Sequence, residues 1–457
     1  MGREIVREES IKVPEKRNRL WNYEDVHHVL IQNTASEVVE SIILDLSFSK
    51  LKVKNPDFTE AKNLEKVVFR RCTSLLEVHP SISSLDNLVL LDFENCRNLK
   101  IFPSRIGMKS LRTLKLSWYG SLNKFLEISG CRKFENLPSS ISHKKSLQCL
   151  DVFGCSKLEK FPKIPEVKNK LSGLYLGRTT IKELPASVLN LTNLVTLSLN
   201  DCKELESLPS SICQMKSLQY LDISRCSNLE KFPEISKVMN KLSKLYLGGT
   251  AIKELPPSVL NLINLVTLKL NDCRELESLP SSICHMKSLQ YLDVSGCSNL
   301  EKFLENSEVM NKLYELYFGG IAIKELPASV LNLTNLVSLR LNDCRELESL
   351  PSSICQMKSL QYLDISGCSN LEKFPEISQV MNMLSELYFG GTAIKELPAS
   401  VLNLLSPVTL MLNDCRELES LPSRICHMKS LQYLYVSGCS NLETFSENSE
   451  VLNKLSA

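Results

Sequence analysis

A 71-residue unit recurs four times in the second half of the chain, divides into steps of 23 to 24 residues, and heads each step with L-x-x-L-x-L. Together these predict an α/β leucine-rich repeat solenoid: a curved horseshoe with a concave parallel β-sheet and short helical or irregular convex segments. LYLGRTTIKELPASVLNL at Leu174 returns as LYLGGTAIKELPPSVLNL at Leu245, LYFGGIAIKELPASVLNL at Leu316 and LYFGGTAIKELPASVLNL at Leu387. One run of heads is Leu242/Leu245/Leu247, Leu265/Leu268/Leu270 and Leu289/Leu292/Val294. Chance does not hold register over so many steps. Each unit buries its apolar face only against its neighbours, so one array replaces the domains that length alone suggests.

Residues 1–38 stand outside the pattern. MGREIVREES suggests a short helix that Pro14 ends, and Trp21-Asn22-Tyr23-Glu24-Asp25-Val26 opens a second with Asn22 as its N-cap. From 39 to 457 the heads fall at Val39, Leu64, Leu88, Leu111, Leu147, Leu171, Leu194 and Leu218. After the copies at Leu242, Leu265 and Leu289 they continue through Leu313, Leu336, Leu360, Leu384, Pro407, Leu431 and a cut-off Leu455. That makes roughly 17 repeats, with the 71-residue super-repeats at 171–457. LEISGC at Leu126 is irregular, following Leu111 by about half a period.

In each repeat x-x-L-x-L-x-x reads as a short parallel strand, leucines inward and the intervening residues outward. Leu208-Pro209, Leu279-Pro280 and Leu350-Pro351 mark the strand's exit, with proline in the first turn of a short helix, where it is tolerated. Segments such as SSICQMKSL and ASVLNLTNL then supply a convex helical turn or two. The last copy carries disruptive changes: Pro407 at a strand start, and Ser446 where its siblings have Pro233 and Pro375.

Composition narrows the function classes. A formal charge of +2 and a pI near 7.8 give no basic field for nucleic acid or an anionic membrane. The start lacks a signal-peptide apolar region, no run reaches the length of a membrane span, and Val6 stands where myristoylation needs Ser or Thr. The expected compartment is the cytoplasm, with the nucleus as a second one. Of the 17 cysteines, Cys202, Cys226, Cys273, Cys297, Cys344, Cys368, Cys415 and Cys439 follow the L-x-L core at a fixed offset. Thr179, Thr250 and Thr392 take that place in every third repeat, with Ile321 a departure. Cys213, Cys284, Cys355 and Cys426 fill the slot that Leu holds in SVLNL. A position accepting Cys, Thr or Leu reads as a small buried filler, reduced and without metal. The sequons at Asn190 and Asn332 are lost at Asn261 and Asn403 and read as accidental.

The outward strand positions are the candidate site. One strand type presents Tyr175, Tyr246, Tyr317 and Tyr388; another presents Tyr220, Tyr291, Tyr362 and Tyr433 beside Asp222, Asp293, Asp364 and Tyr435. Two positions vary most between copies: Ser198, Lys269, Arg340, Met411, and Gly173, Lys244, Glu315, Glu386. Aromatic and charged side chains on a concave sheet suit protein binding, which selects Tyr220, Tyr246, Lys269, Tyr291, Asp293, Tyr317, Arg340, Tyr362 and Asp364, with Trp118 near the irregular step. The competing reading is that the tyrosines stack between strands and merely stabilise the sheet. The Lys269/Arg340/Met411 position favours binding, because the fold does not ask for those side chains.

Chemistry is harder to find. Glu206 beside Glu230, and Glu277 beside Glu301, would place carboxylates about 5 Å apart, as in retaining glycosidases. The pattern recurs with every copy beside Lys182, Lys253, Lys324 and Lys395, which fits a solvated charge ladder better than one desolvated site. The histidines, among them His27, His28, His285 and His427, form no triad, and there is no phosphate loop or dinucleotide fingerprint. No catalytic, cofactor-binding or metal-binding residue is assigned, and no cofactor is expected.

MGREIVREES, PEKRNRLW, EDVHHVL and NTASEVVESIILDLS, followed by LNDCRELESLPSSIC and LDISGCSNLEKFPEIS, closely resemble a plant intracellular disease resistance receptor of the TIR-NB-ARC-LRR class. The resemblance covers essentially the whole chain. It implies that residues 1–38 are a remnant of the winged-helix end of the NB-ARC module and its linker, leading into the repeats at 39–457. The family's phosphate loop and TIR domain are not in this sequence, so neither ATP/ADP binding nor NAD cleavage carries over. What the resemblance implies is the repeat region's role: recognising a pathogen effector or a host protein, or restraining the nucleotide-binding module. The partner is then a protein, not nucleic acid or membrane. Because Leu455-Ser456-Ala457 falls inside a strand without the polar cap that solenoids need, two alternatives stand: a truncated regulatory partner of a full-length receptor, or a non-functional fragment of one.

Overall fold

A computed structural model describes residues 18–20, 23–31, 39–45, 57–72, 75, 77–93, 96, short runs between 103 and 137, 147–164, 170–300, 310–377, 381–406 and 408–442. The chain divides into two compact units, Met1–Asn228 and Leu229–Ala457.

In the first unit, β1 (Arg19–Leu20), β2 (Ser41–Asp45), β3 (Lys66–Arg70), β4 (Leu90–Asp92) and β5 (Thr113–Lys115) form one parallel sheet in chain order. Helix α1 (Tyr23–Ile31) buries Val26 and Val29 and carries Glu24 and Asp25 in its first turn, where the helix dipole favours acids. The second helix expected near the N-terminus is therefore present, whereas its proposed cap Asn22 and the earlier segment around Pro14 lie outside the described residues. A second run of parallel strands comprises β6 (Phe125–Glu127), β7 (Cys149–Asp151), β8 (Gly173–Tyr175), β9 (Thr196–Ser198) and β10 (Tyr220–Asp222). The irregular step at Leu126 is thus a true strand, with Leu126 in register with Leu150. It also marks where one sheet ends and the next begins.

The second unit is the more regular. β11 (Lys244–Tyr246), β12 (Thr267–Lys269), β13 (Tyr291–Asp293), β14 (Glu315–Tyr317), β15 (Ser338–Arg340), β16 (Tyr362–Asp364), β17 (Glu386–Tyr388), β18 (Val408–Met411) and β19 (Leu431–Tyr435) pair in parallel, each with the next. Leu245, Leu268, Leu292, Leu316, Leu339, Leu363, Leu387 and Leu410 follow one another in register and all are 0% exposed. Full burial of a leucine contributes about 1.5–3 kcal/mol, so this stripe is the main reason the strands stack. Each strand is only a few residues long because the next inward side chain already belongs to the turn. Between Val408 and Thr409 the pairing with β19 slips by a residue, next to Pro407, which itself lies outside the described residues.

On the far side of each repeat the expected helical turn is mostly a 3₁₀ turn, as at Ser210–Gln214, Pro257–Asn261, Ser281–His285 and Ser352–Gln356; α2 (Ala328–Leu331) is a single α-turn. The prolines differ from expectation. Pro209, with φ −66° and ψ 137°, caps the turn in an extended conformation instead of occupying its first residue, and Pro280 and Pro351 do the same. Ile212 N–H then donates to the Pro209 carbonyl at 3.0 Å, so the ring fixes the entering chain and costs no donor.

The cysteines do more than fill space. Cys202 donates its thiol to the Leu176 carbonyl at 3.1 Å, Cys273 to Leu247 at 3.2 Å and Cys368 to Leu341 at 3.1 Å, each reaching the preceding repeat. Thr179, Thr250 and Thr392 join the same ladder through hydroxyl–sulfur contacts of 3.3–3.5 Å to Cys202, Cys273 and Cys415. A polar hydrogen, and not size alone, is what the position selects; Ile321 fills it at 2% exposure without one.

Among the described residues from Arg178 onward, the residue before this position is left-handed: Arg178, Asp201, Arg225, Asp272, Asp343 and Asp414 at φ 56–61°, and Gly249, Gly296, Gly320, Gly367, Gly391 and Gly438 at φ 70–77°. Arg225 occupies the place of Gly296 and Gly367. Its Cβ strain exceeds what its exposed 4.0 Å pair with Asp201 returns. Arg225→Gly should therefore raise the stability of the first unit by about 1 kcal/mol in urea denaturation. A loss of stability would show that the Asp201 pair dominates.

Candidate functional site

The sheet's outward face in the second unit is built by a period-two rule acting on three strand types. β13 reads Tyr-Leu-Asp and β14 reads Glu-Leu-Tyr, so in register Tyr291 faces Glu315 and Asp293 faces Tyr317. The four side chains form a square with the tyrosines on one diagonal, their ring centroids 5.0 Å apart at 68°. Tyr291 donates its hydroxyl to Asp293 at 3.4 Å, and Tyr317 donates to Glu315 at 2.7 Å. β16 and β17 repeat the square: Tyr362 donates to Asp364 at 3.4 Å, Tyr388 to Glu386 at 2.7 Å, and the rings lie 5.0 Å apart. Asp293, only 7% exposed, also accepts the Ser295 N–H at 3.0 Å, which satisfies a carboxylate otherwise costly to bury.

The third strand type links the squares. Arg340 on β15 places its guanidinium carbon 4.6 Å from the Tyr317 ring centre and 4.7 Å from that of Tyr362. Lys269 on β12 sits likewise between Tyr246 and Tyr291, at 5.0 and 5.2 Å. Tyr246, Lys269, Tyr291, Tyr317, Arg340, Tyr362 and Tyr388 therefore form one unbroken chain of ring and cation contacts. Lys269 and Arg340 thus also have a structural duty that their variation between copies does not reveal, since each cation–π contact contributes about 0.5–2 kcal/mol. Glu315, Glu386 and Tyr388 complete the face and were not among the selected residues; their i, i+2 spacing from partners on the same strand face was the available signal.

Of the remaining selected residues, Tyr220 lies on β10 in the first unit, its hydroxyl 3.1 Å from Asp222, and Trp118 lies outside the described residues. Lys182 and Glu206, from the proposed charge ladder, pair at 3.8 Å and are 65% and 61% exposed. The Glu206 N–H bonds the Lys182 carbonyl, and Glu277, Glu348 and Glu419 bond Lys253, Lys324 and Lys395 in the same way. Each glutamate thus has a lysine in the preceding repeat, which gives a solvated surface and little desolvation.

Burial, with the hydrogen bond to Glu315 next, pushes the Tyr317 hydroxyl up to about 12; burial and the Asp364 charge raise Tyr362 to about 12. The unfolded chain ionises these phenols near 10, so the folded state holds their protons more tightly between 10 and 12. Stability from these groups is fully present below pH 10 and is lost as pH rises toward 12. Following tyrosinate absorbance and circular dichroism together should show ionisation of this set coinciding with alkaline unfolding. Ionisation near pH 10 with the fold intact would contradict the hydrogen-bonded geometry.

Among the described residues no cluster of three or more His, Cys, Asp or Glu is disposed to hold a metal ion, and no helix is long and apolar enough to cross a membrane. Comparison with known proteins places this architecture. The family model for the leucine-rich repeats of RPS4B-like disease resistance proteins matches residues 143–217, 214–300, 285–370 and 356–450, about two thirds of the chain. The chain belongs to this family. It is 34% identical over 148 residues to disease resistance protein RPP2A of Arabidopsis thaliana, covering 32% of this chain and 8% of that protein. It is 32% identical over 164 residues to TMV resistance protein N of Nicotiana glutinosa, covering 36% and 13%. With disease resistance protein RPS4B of Arabidopsis thaliana it shares 29% identity, over 45% of this chain and 21% of that protein. The chain thus spans a small part of each of these relatives. A leucine-rich repeat protein of Leptospira interrogans shares the fold with a TM-score of 0.51 at 21% identity, over 82% of this chain and 91% of that one.

Proposed function

We propose that this chain is a non-enzymatic protein-binding module of a plant intracellular immune receptor, recognising a pathogen effector or a host protein in the cytoplasm or nucleus. Residues 1–38 are assigned to the end of the NB-ARC winged helix and its linker, and 39–457 to the repeat array. The observation that carries the reading is the ring and cation chain along β11 to β17, a half-exposed aromatic and charged strip with the composition of a binding hot spot. Relatives named as disease resistance proteins support the immune setting. Because the rings and cations hold one another, they are ordered before a partner arrives, which lowers the entropy cost of association.

The test uses an effector whose recognition in plants depends on this repeat region. Tyr317→Ala and Arg340→Ala should each weaken the complex at least about tenfold, as hot-spot truncations do, while exposed Lys358→Ala beyond the 3₁₀ turn of the same repeat stays near neutral. Calorimetric titration against proteins verified as folded gives the readout. An effect of Lys358→Ala with none from the other two would move the binding surface to the turn side.

A further inference from the structure

The hydrogen-bonding capacity of this sheet face is unevenly used. Asp293 accepts from Tyr291 and Ser295, Glu315 from Tyr317, Asp364 from Tyr362 and Ser366, and Glu386 from Tyr388. The cations differ. Among the described residues, the side chains of Lys269 and Arg340 have ring faces as neighbours but no hydrogen bond or ion pair, and Arg340 Nε is buried without an acceptor. A ring face attracts the charge of a cation without taking up the directional N–H donors of an ammonium or a planar guanidinium fork. The unspent capacity of the strip is therefore donor capacity, at two points three strands apart, about 14–15 Å at the usual strand spacing.

We propose that Lys269 and Arg340 each receive a carboxylate from one extended acidic segment of a protein partner, with Tyr317 and Tyr362 holding the Arg340 guanidinium in place for paired hydrogen bonds. The proposal rests on the sheet-face reading above and names the chemistry of what that face binds. Stacking on aromatic faces suits arginine, and with Nε buried the paired hydrogen bonds to a carboxylate fall to the two terminal Nη groups. The charge pattern selects the class of ligand. Asp293, Glu315, Asp364 and Glu386 share the face with Lys244, Lys269 and Arg340, so a nucleic acid, charged at every phosphate, meets repulsion between the cations. Carboxylates spaced one per cation meet less of it: Asp293 and Asp364 stand opposite Lys269 and Arg340 in register, but their oxygens already accept hydrogen bonds from tyrosine and serine groups. The flanking copies carry Ser198 and Met411 at the same position, which confines the anchors to the two central copies.

The probe is a fluorescein-labelled, C-terminally amidated Ser/Gly peptide with two glutamates four residues apart, about 13–14 Å when extended. Fluorescence anisotropy with the full chain should show saturable, salt-sensitive binding, weakened at least about tenfold when both glutamates become glutamine. Arg340→Met, which installs the side chain that the fourth copy carries at Met411, should remain folded with a lowered melting temperature, since both cation–π contacts are lost, and in protein verified as folded should cost the same factor in binding. Lys269→Met should do likewise. Conversely, Met411→Arg should tighten binding of a peptide lengthened by a third glutamate at the same interval. Equal binding of the glutamine peptide, unchanged affinity in Arg340→Met, tighter binding of oligothymidylate, or no saturable binding would each overturn the carboxylate assignment. The broader reading fails separately: it falls only if a natural partner's affinity is also indifferent to Tyr317→Ala.

Discussion

Phe389→Ala should destabilise the second unit by about 3–5 kcal/mol, because truncating a buried phenylalanine loses its transfer energy and leaves a cavity. Phe389 is 0% exposed and meets Phe374 edge-on, with ring centroids 5.1 Å apart. The protein carries its own control. The first two copies have Leu176 and Leu247 at this place, both 0% exposed, whereas the third has Phe318. Phe389→Leu should therefore cost less than about 1.5 kcal/mol, as shape-tolerant apolar exchanges do. Urea denaturation followed by far-ultraviolet circular dichroism separates the two. If alanine and leucine cost the same, volume at this position is not what the core depends on.

Gly248→Ala is expected to cost about 1–3 kcal/mol, by overpacking and not through backbone strain. A Cβ there would lie 2.5 Å from Asn271 Oδ1 and 2.8 Å from the Asn271 carbonyl oxygen in the next repeat. The side-chain amide can swing away, but the carbonyl is fixed, since it accepts the Gly249 N–H at 2.7 Å. The first copy repeats the arrangement with Gly177 against Asn200, at 2.5 and 2.8 Å. The glycine is thus the space that its neighbour's asparagine occupies. A denaturation midpoint unchanged in Gly248→Ala would mean that the adjacent repeat yields without cost.

The repeats were legible in the sequence because a leucine stripe is a one-dimensional signal. Heads such as Val39, Leu88, Leu194 and Leu360 are all 0% exposed, and even LEISGC, with its irregular spacing, forms a strand. The outward positions were legible as a list but not as an arrangement. Tyr291 and Tyr317 read as members of two separate families of strand positions, yet they touch across a diagonal, one strand over and two residues along. Arg340 looked free of structural duty for the same reason: its two ring partners stand on different strands, Tyr317 directly opposite it and Tyr362 two residues away from its register partner Asp364. Likewise, the thiol of Cys273 is chosen by a carbonyl 26 residues earlier, which composition reports only as a small side chain.

On the function proposed above, a partner docks on the tyrosine and cation strip of the second unit. Hydroxyl-radical footprinting, read by mass spectrometry on the full chain with and without a recognised effector, tests it most directly. Tyr291, Tyr317, Tyr362 and Tyr388 should lose reactivity in the complex, while Leu260 and Leu405, exposed away from the strands at 44% and 67%, should keep their rates. Protection of Leu260 and Leu405 with the four tyrosines unchanged would contradict the account.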